Sequence, residues 1–550
     1  MRKWLIGTAV VVAVLAVAGF VAFQNYWYYL PGMVQAIRDP VQPTRDVVWE
    51  KAPDAPVAGD RPPNIILIVA DDLGYNDITY SGGGVANGAV PTPNIDSIAK
   101  DGASFSQSYS GNATCAPSRA AMMTGRYATR FGFEFTPVPV QFARLLGHTT
   151  TSEHPPIYHP ELEKDVPAMA DMTVPTSEIT LPEMLKTKGY RTLMLGKWHL
   201  GETPQSRPEA RGFDEFLGFL GGAAMFLPHG DPNGVESHQD FDPIDKFLWA
   251  NLSFAVVNNN KPGRFAPSKY MTDYLSDEAA KAIAANKNRP FFMYLAYNAP
   301  HTPLHASKSD YDALSGIGNH RLRVYAAMIK ALDRGVGEVL DAVKANGLDD
   351  NTIVIFTSDN GGANYIGLPD INKPFRGWKA SFFEGGIRVP FFVKWPGKVT
   401  PGTTIAGAAG HVDIFATAAA AAGADMPADR AMDGVNLMPY ATGELQGNPH
   451  KTMFWRSGDY KVLLAGDWKL QMSERPKKNW LFDLRTDPTE QTNLADTDAA
   501  KLAEMEALLT QVDGEQAKPL WPSLLEGAIP IDRPLDTPEV KDEAYIYWAN

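Results

Sequence analysis

Five short apolar runs constrain the fold of this chain more than any other feature: 65–70, 192–195, 291–296, 352–357 and 389–393. Each is rich in β-branched or aromatic residues and is bounded by polar residues or by Gly and Pro, as strands buried on both faces are. Helical patterns lie between several of them, at 93–102, 271–286, 321–346 and 411–422. A further helix opens on the capping box Thr180-Leu-Pro-Glu183, with proline in its first turn, and closes at Gly189. Strands that alternate with helices predict an α/β fold with a mostly parallel central sheet flanked by helices. Near 450 the pattern changes. Runs 460–464 and 468–472 flank Ala465-Gly466-Asp467 and predict a hairpin, 479–484 a third strand and 498–513 a covering helix. A smaller C-terminal α+β subdomain is therefore expected. Residues 136–176 lack periodicity and read as long loops over one end of the sheet. The proline-rich tail after Lys518 reads as a surface wrap.

Hydrophobic residues are 44% of the 550 and charged residues 21%, the usage of a globular chain and not of a disordered one. Acidic residues outnumber basic ones 63 to 50, which argues against non-specific nucleic-acid binding. Cys115 is the single cysteine, so no intramolecular disulfide or cysteine zinc cluster can form. Arg2 and Lys3 precede the apolar run 4–23, whose 20 residues span about 30 Å as a helix. The tract Tyr26-Trp27-Tyr28-Tyr29 follows, as an aromatic belt follows a membrane span. The two basic residues stay inside and the bulk of the chain is exported, toward the periplasm if the source is bacterial, as the absence of disulfides favours. An uncleaved anchor is the preferred reading, and a signal cleaved after Ala16-Val17-Ala18 the alternative. The expected organisation is an anchor or signal at 1–30, a Pro-rich spacer at 31–63, a main α/β domain at 64–450 and a C-terminal subdomain and tail at 451–550.

In open α/β sheets ligands bind beyond the carboxyl ends of the strands. The first run ends in Asp71-Asp72, the second leads into Gly196-Lys197-Trp198-His199, the third into Asn298-Ala299-Pro300-His301, and the fourth into Ser358-Asp359-Asn360-Gly361. Singly, Asp72 reads as a turn residue, His301 as structural and Lys197 as a solvated charge. Their shared place at one sheet edge makes them a candidate site. Asp71, Asp72, Asp359 and Asn360 offer hard oxygen donors only, which suit Ca²⁺ or Mg²⁺ and not zinc or copper. The segment Cys115-Ala-Pro-Ser-Arg119 follows a loop and opens an apparent helix, where the positive end of the dipole and Arg119 favour an anion.

Cys115-Ala-Pro-Ser-Arg-Ala-Ala-Met-Met-Thr-Gly-Arg126 resembles the sulfatase signature, Cys-x-Pro-Ser-Arg followed by Thr-Gly-Arg. The stretch from Gly189 to Gly201 resembles the second sulfatase signature. Asp71-Asp72-Leu-Gly-Tyr75, Pro300-His-Thr-Pro303, Ser358-Asp-Asn-Gly-Gly362 and the stretch from Lys379 to Pro390 match family elements in family order. Over roughly 64–500 the chain thus resembles the type I, formylglycine-dependent sulfatases of the alkaline phosphatase superfamily. Met123 stands where leucine is usual, and Trp378 precedes Lys379 where glycine is common. The resemblance implies that a maturation enzyme oxidises Cys115 to formylglycine, whose hydrate is nucleophile and metal ligand. It implies that Asp71, Asp72, Asp359 and Asn360 complete the metal site. It places Arg119 and His199 on the formylglycine hydroxyls, Lys197 and Lys379 on the sulfate oxygens, and His301 as proton donor to the leaving oxygen.

A sulfuric ester hydrolase acting on aryl, steroid or sugar sulfates is the expected function. The rivals are a phosphate or phosphonate monoester hydrolase of the same superfamily, which would use the same metal and basic groups, and a non-catalytic binder of sulfated ligands. Loops 136–176 and 220–270 are expected to shape the pocket. His154, His159, His229 and His238 lie in them and read as surface residues. Trp378 reads as an apolar wall that favours an aryl aglycone.

Overall fold

The computed structural model describes residues 8, 19, 26–55, 61–147, 152–259 and 261–550. Its centre is a ten-stranded sheet built from β1 (Asn64–Ala70), β2 (Ala103–Phe105), β3 (Arg191–Lys197), β4 (Glu215–Phe219), β5 (Val256–Asn258), β6 (Lys261–Phe265), β7 (Phe291–Ala296), β8 (Thr352–Ser358), β9 (Phe391–Lys394) and β10 (Thr403–Ile405). The order across the sheet is β10-β2-β9-β8-β1-β7-β3-β4-β5-β6. The inner strands β8, β1, β7, β3 and β4 run parallel. The run near 389–393 forms β9 and pairs antiparallel with β8.

Alternation along β1 shows why both faces must be covered. Ile66, Ile68 and Ala70 enter the core on one face, with α1 (Pro93–Lys100), α4 (Met271–Asn286) and α5 (His320–Ala345). Ile65, Leu67 and Val69 enter the core on the other, with α2 (Cys115–Thr124), α3 (Leu181–Lys186) and α6 (Asp413–Ala421). Thr180 and Glu183 make the capping box expected from the sequence.

The C-terminal strands β11 (Thr452–Ser457), β12 (Tyr460–Ala465), β13 (Trp468–Glu474) and β14 (Lys477–Asp483) form an antiparallel meander. One face packs Leu463, Leu470 and Leu481 against Met505 and Leu509 of α7 (Ala499–Asp513). The other packs Val462, Trp480 and Phe482 against Phe382, Phe383 and Ile387 of the larger unit.

Three stretches depart from expectation. Residues 136–176 hold a helix, Val140–Gly147, and a strand, Ile157–Tyr158, and the tail supplies Leu525–Pro530 and Tyr545–Ala549 to complete a three-stranded sheet with it. Within the stretch read as a spacer, Leu30–Arg38 is helical. Beyond it Gln42 bridges to β6, and Trp49 sits in the main core with its Nε1–H donating to Glu278 at 2.9 Å. One buried indole there outweighs the proline pattern. The apolar run 4–23 lies outside the described residues, apart from Thr8 and Gly19. Among the described residues, no helix is long and apolar enough to cross a membrane.

Candidate active site

The carboxyl ends of β1, β3, β7 and β8 deliver their polar residues to one buried pocket. Asp71 and Asp72 follow β1 directly, with Asp72 at φ 62°, so the chain turns sharply where it leaves the sheet. Both oxygens of Asp71 accept from Lys197 Nζ, at 2.9 and 2.8 Å. Arg119 donates from Nε and Nη2 to Asp359 at 2.9 and 2.7 Å and lies 3.4 Å from Asp71. Asp359 in turn accepts from the Asp72 amide at 3.1 Å, and Asn360 Nδ2–H donates to Asp72 at 2.8 Å.

Cys115 opens α2, a helix whose ten residues are all buried. Its Sγ lies 3.8 Å from Asp72 Oδ1, and Arg119 follows one turn on. Ligand atoms of Asp71, Asp72, Cys115 and His301 all lie within 4.8 Å of one another. Lys379 Nζ donates to Asp72 at 2.8 Å and stands 3.4 Å from His301 Nε2. His199 is buried at φ 60°, and its Nδ1 has no partner among the described residues. All ten residues singled out in the sequence thus line this one pocket or brace its walls.

Backbone packing explains how the later segments join. A Cβ on Gly361 would lie 1.9 Å from the Gly385 carbonyl oxygen, so only glycine allows the loop after β8 to meet 385–386. There the Gly361 amide donates to Gly386 at 2.9 Å, and the Lys379 amide donates to Gly362 at 3.0 Å. Behind them Glu384 accepts from Lys469 and Arg388, each at 2.7 Å, and Lys469 also reaches Glu490 at 2.9 Å, all fully or nearly fully buried. This network pins the Lys379 segment to β13.

Burial raises the Asp71 carboxyl to about 7, against the pull of Lys197. For Asp72, burial is outweighed by Lys379 and His301, and its pKa falls. For Asp359, burial is outweighed by Arg119, then Lys197, and its pKa falls. Burial pushes the Cys115 thiol up to about 12. It drives His301 down to about 3 despite Asp72, and takes His199 well below the ordinary histidine value with Lys197 adding to the effect.

Three partners in the pocket escaped the sequence reading. Tyr365 donates its hydroxyl to Asp72 at 2.9 Å and accepts from Lys379 at 3.0 Å. Tyr294 accepts from Arg119 at 3.1 Å, and His411 links Ser118 at 2.9 Å to Thr357 at 3.1 Å. Tyr294 was hidden inside an apolar strand and His411 at the start of the helical pattern 411–422, while Tyr365 sits in a segment with no local pattern. Trp378 is 4% exposed and packs in the main core. The loop histidines take surface partners. His154 stacks on Tyr545, His159 pairs with Glu526, and His229 and His238 pair with Glu236.

The family model named Sulfatase matches residues 63–424, and that of the N-sulphoglucosamine sulphohydrolase C-terminal region matches 377–516. Human N-acetylgalactosamine-6-sulfatase is 34% identical over 407 residues, 72% of this chain and 69% of its own. Mouse steryl-sulfatase is 30% identical over 489 residues, 77% of this chain and 72% of its own. The crystal structure of Ps i-CgsB in complex with k-i-k-neocarrahexaose superposes with a TM-score of 0.69 at 34% identity, covering 84% of this chain and 95% of that one. A phosphonate monoester hydrolase from Agrobacterium radiobacter shares the fold at 18% identity and a TM-score of 0.56. With a family match over well over half its length, this chain belongs to the sulfatases, the sulfuric ester hydrolases of the alkaline phosphatase superfamily.

Proposed function

We propose that the chain hydrolyses sulfate monoesters of carbohydrates, with residue 115 oxidised from cysteine to formylglycine and a calcium or magnesium ion in the carboxylate pocket. The surroundings of Cys115 carry this reading. A thiol held near pKa 12 stays protonated at neutral pH and is a poor nucleophile, yet it stands at the head of a buried helix among three carboxylates and three cations. Oxidised by a maturation enzyme and hydrated, residue 115 would offer two hydroxyls, one to attack sulfur and one to expel sulfate and restore the aldehyde.

Asp71, Asp72, Asp359 and Asn360 fit a hard cation: all offer oxygen ligands, and Asn360 Oδ1 is buried without a partner among the described residues. The ion would lower the nucleophile's pKa and offset charge on the sulfuryl group. Arg119, Lys197 and Lys379 balance the three carboxylates one for one, so a divalent ion leaves the pocket cationic enough for an anionic ester. Lys197 and Lys379 are the cations placed to hold sulfate oxygens in a water-poor site. His199, with a free buried Nδ1, and Arg119 serve the hydroxyls of residue 115. His301 donates Nδ1–H to the Thr302 carbonyl at 2.7 Å, which turns Nε2 toward Lys379 and the leaving oxygen.

Sugar sulfates lead the substrate list because of what the relatives are called: an N-acetylgalactosamine-6-sulfatase and a protein solved with a neocarrahexaose. Steroid sulfates follow from steryl-sulfatase, and aryl sulfates come after them. The catalytic unit is taken as 64–450 and the C-terminal unit as 451–550. The run 4–23 anchors the exported chain in the membrane, facing the periplasm in a bacterium. Purified enzyme should turn over sulfated galactose oligosaccharides with a higher kcat/KM than phosphate monoesters, and the peptide holding residue 115 should carry aldehyde in place of thiol. A preference for phosphate esters, or full activity with an intact thiol, would overturn the proposal.

A further inference from the structure

The helix Leu30–Arg38 turns an apolar face outward. Leu30, Met33, Val34 and Ile37 are 48, 59, 44 and 79% exposed and recur at the spacing of one helix face. Tyr26 and Tyr29, just before it, are exposed too. The helix is nonetheless firmly seated on the catalytic domain by its other side. The Gly32 amide donates to Asn251 Oδ1 at 2.7 Å, and Asn251 Nδ2–H donates to the Tyr28 carbonyl at 2.8 Å. A Cβ on Gly32 would stand 2.6 Å from the Ala250 carbonyl oxygen, so glycine permits the close approach. The Trp27 ring lies 6.5 Å from Phe247 on the same short helix, Asp245–Asn251.

We propose that this face is a bilayer-contact surface: the helix lies in the lipid–water interface and seats the catalytic domain on the membrane in a fixed orientation. The inference rests on the anchor reading of 4–23. That run ends three residues before Tyr26, and three extended residues reach about 11 Å at most. A chain anchored there must therefore hold the helix within the headgroup region. The composition suits that place: aromatic residues at the start, a stripe of aliphatic ones, and Arg38 as the one charged residue of the helix. Lys246 beside Tyr28 adds a second cation for anionic headgroups. The seat continues toward the active site, because Trp249 of the docking helix lies 5.5 Å from His305, four residues beyond His301.

The test uses the full chain in vesicles of phosphatidylcholine and phosphatidylglycerol. An environment-sensitive fluorophore is attached at I37C or, as control, at K477C on an exposed strand end; buried Cys115 is shielded from the label. Lipids brominated near the headgroup should quench most of the emission at I37C and leave K477C bright, with sulfatase activity retained in both. Vesicle-bound protein whose I37C probe stays as bright as the control would overturn the inference and leave the anchor standing. A labelled I37C that stays bright with bromolipid, together with unlabelled I37C that oxidises to a disulfide-linked dimer, would overturn the inference and assign the face to a second copy instead. Protein that does not float with vesicles, and whose chain starts after residue 18, would overturn the anchor and the inference with it.

Discussion

Replacing His301 by alanine separates proton donation from every other role the residue could have. The Nδ1–H bond to Thr302 fixes the tautomer, so only Nε2 faces the pocket, 3.4 Å from Lys379 Nζ and 3.6 Å from Asp72. Burial holds the free imidazole near pKa 3, so at pH 7 about one ring in 10⁴ is protonated before substrate binds. The proton delivered to the leaving oxygen must then be taken up from solvent by His301 when the charge of the bound ester favours the imidazolium, or pass from the adjacent Lys379 ammonium. General acids contribute ~10²–10⁴-fold, or about 2.7–5.5 kcal/mol of barrier. Sugar alkoxides are strongly basic and need that proton in the transition state; nitrophenolates leave as stabilised anions and need it little. H301A should therefore slow sugar sulfates by ~10²–10⁴-fold and nitrophenyl sulfate far less. The comparison must use kcat/KM, which reports attack on sulfur even when release of sulfate from the enzyme limits turnover. A series of aryl sulfates should show a steeper dependence on leaving-group pKa in the variant. Equal losses across the series would refute proton donation, and Lys379 would become the donor to test.

Removing Lys469 leaves buried Glu490 without its cation and Glu384 with Arg388 alone, so K469M should cost about 3–5 kcal/mol, read as a lower urea midpoint, and K469M/E490Q should recover part of it. His450 is raised above its ordinary 6.5 because Asp413, 2.8 Å away, outweighs burial. Its contribution is thus complete below pH 6.5 and fades as pH rises through the folded value, and H450Q should flatten that limb of the stability curve. Protein made without the maturation enzyme should resist iodoacetamide at pH 9 until unfolded, since a thiol near pKa 12 is only about 10⁻³ thiolate there. Exhaustive chelation and D359A should each abolish most activity, and elemental analysis should find calcium or magnesium; stoichiometric zinc would contradict the oxygen donor set.

The sheet core and the pocket were legible in the chain for the same physical reason. A strand buried on both faces must be continuously apolar, so its end is marked by the first polar residue, and in a parallel sheet those ends share an edge. Asp71, Lys197, His301 and Asp359 could be placed together on that basis before any contact was known. The short outer strands were not legible: β2, β5 and β10 have three residues each, too few to show a period. Nor was the three-stranded sheet that joins Ile157–Tyr158 to the tail, because its partners lie more than 360 residues apart and only pairing gives either one a shape.

The residues that escaped notice share a different cause. Tyr365, Tyr294 and His411 matter by what they donate to or accept from, and a hydrogen bond between distant segments leaves no mark on sequence spacing. The same holds for Lys469, which reads as an ordinary lysine on a strand yet is fully buried between Glu384 and Glu490. Glu384 belongs to the stretch that begins with Lys379, so part of that motif faces away from the pocket and into the C-terminal meander. A charge buried this completely is tolerable only with its partners in place. The C-terminal unit therefore completes the site without contributing a side chain to it: its Lys469 satisfies Glu384, Glu384 holds the segment, and the segment presents Lys379 to Asp72 and His301. Loss of that lysine should consequently be felt at both ends, in the stability of the joint and in the kcat of sulfate esters, whereas E490Q alone leaves the Glu384–Lys469 pair intact and should spare the chemistry.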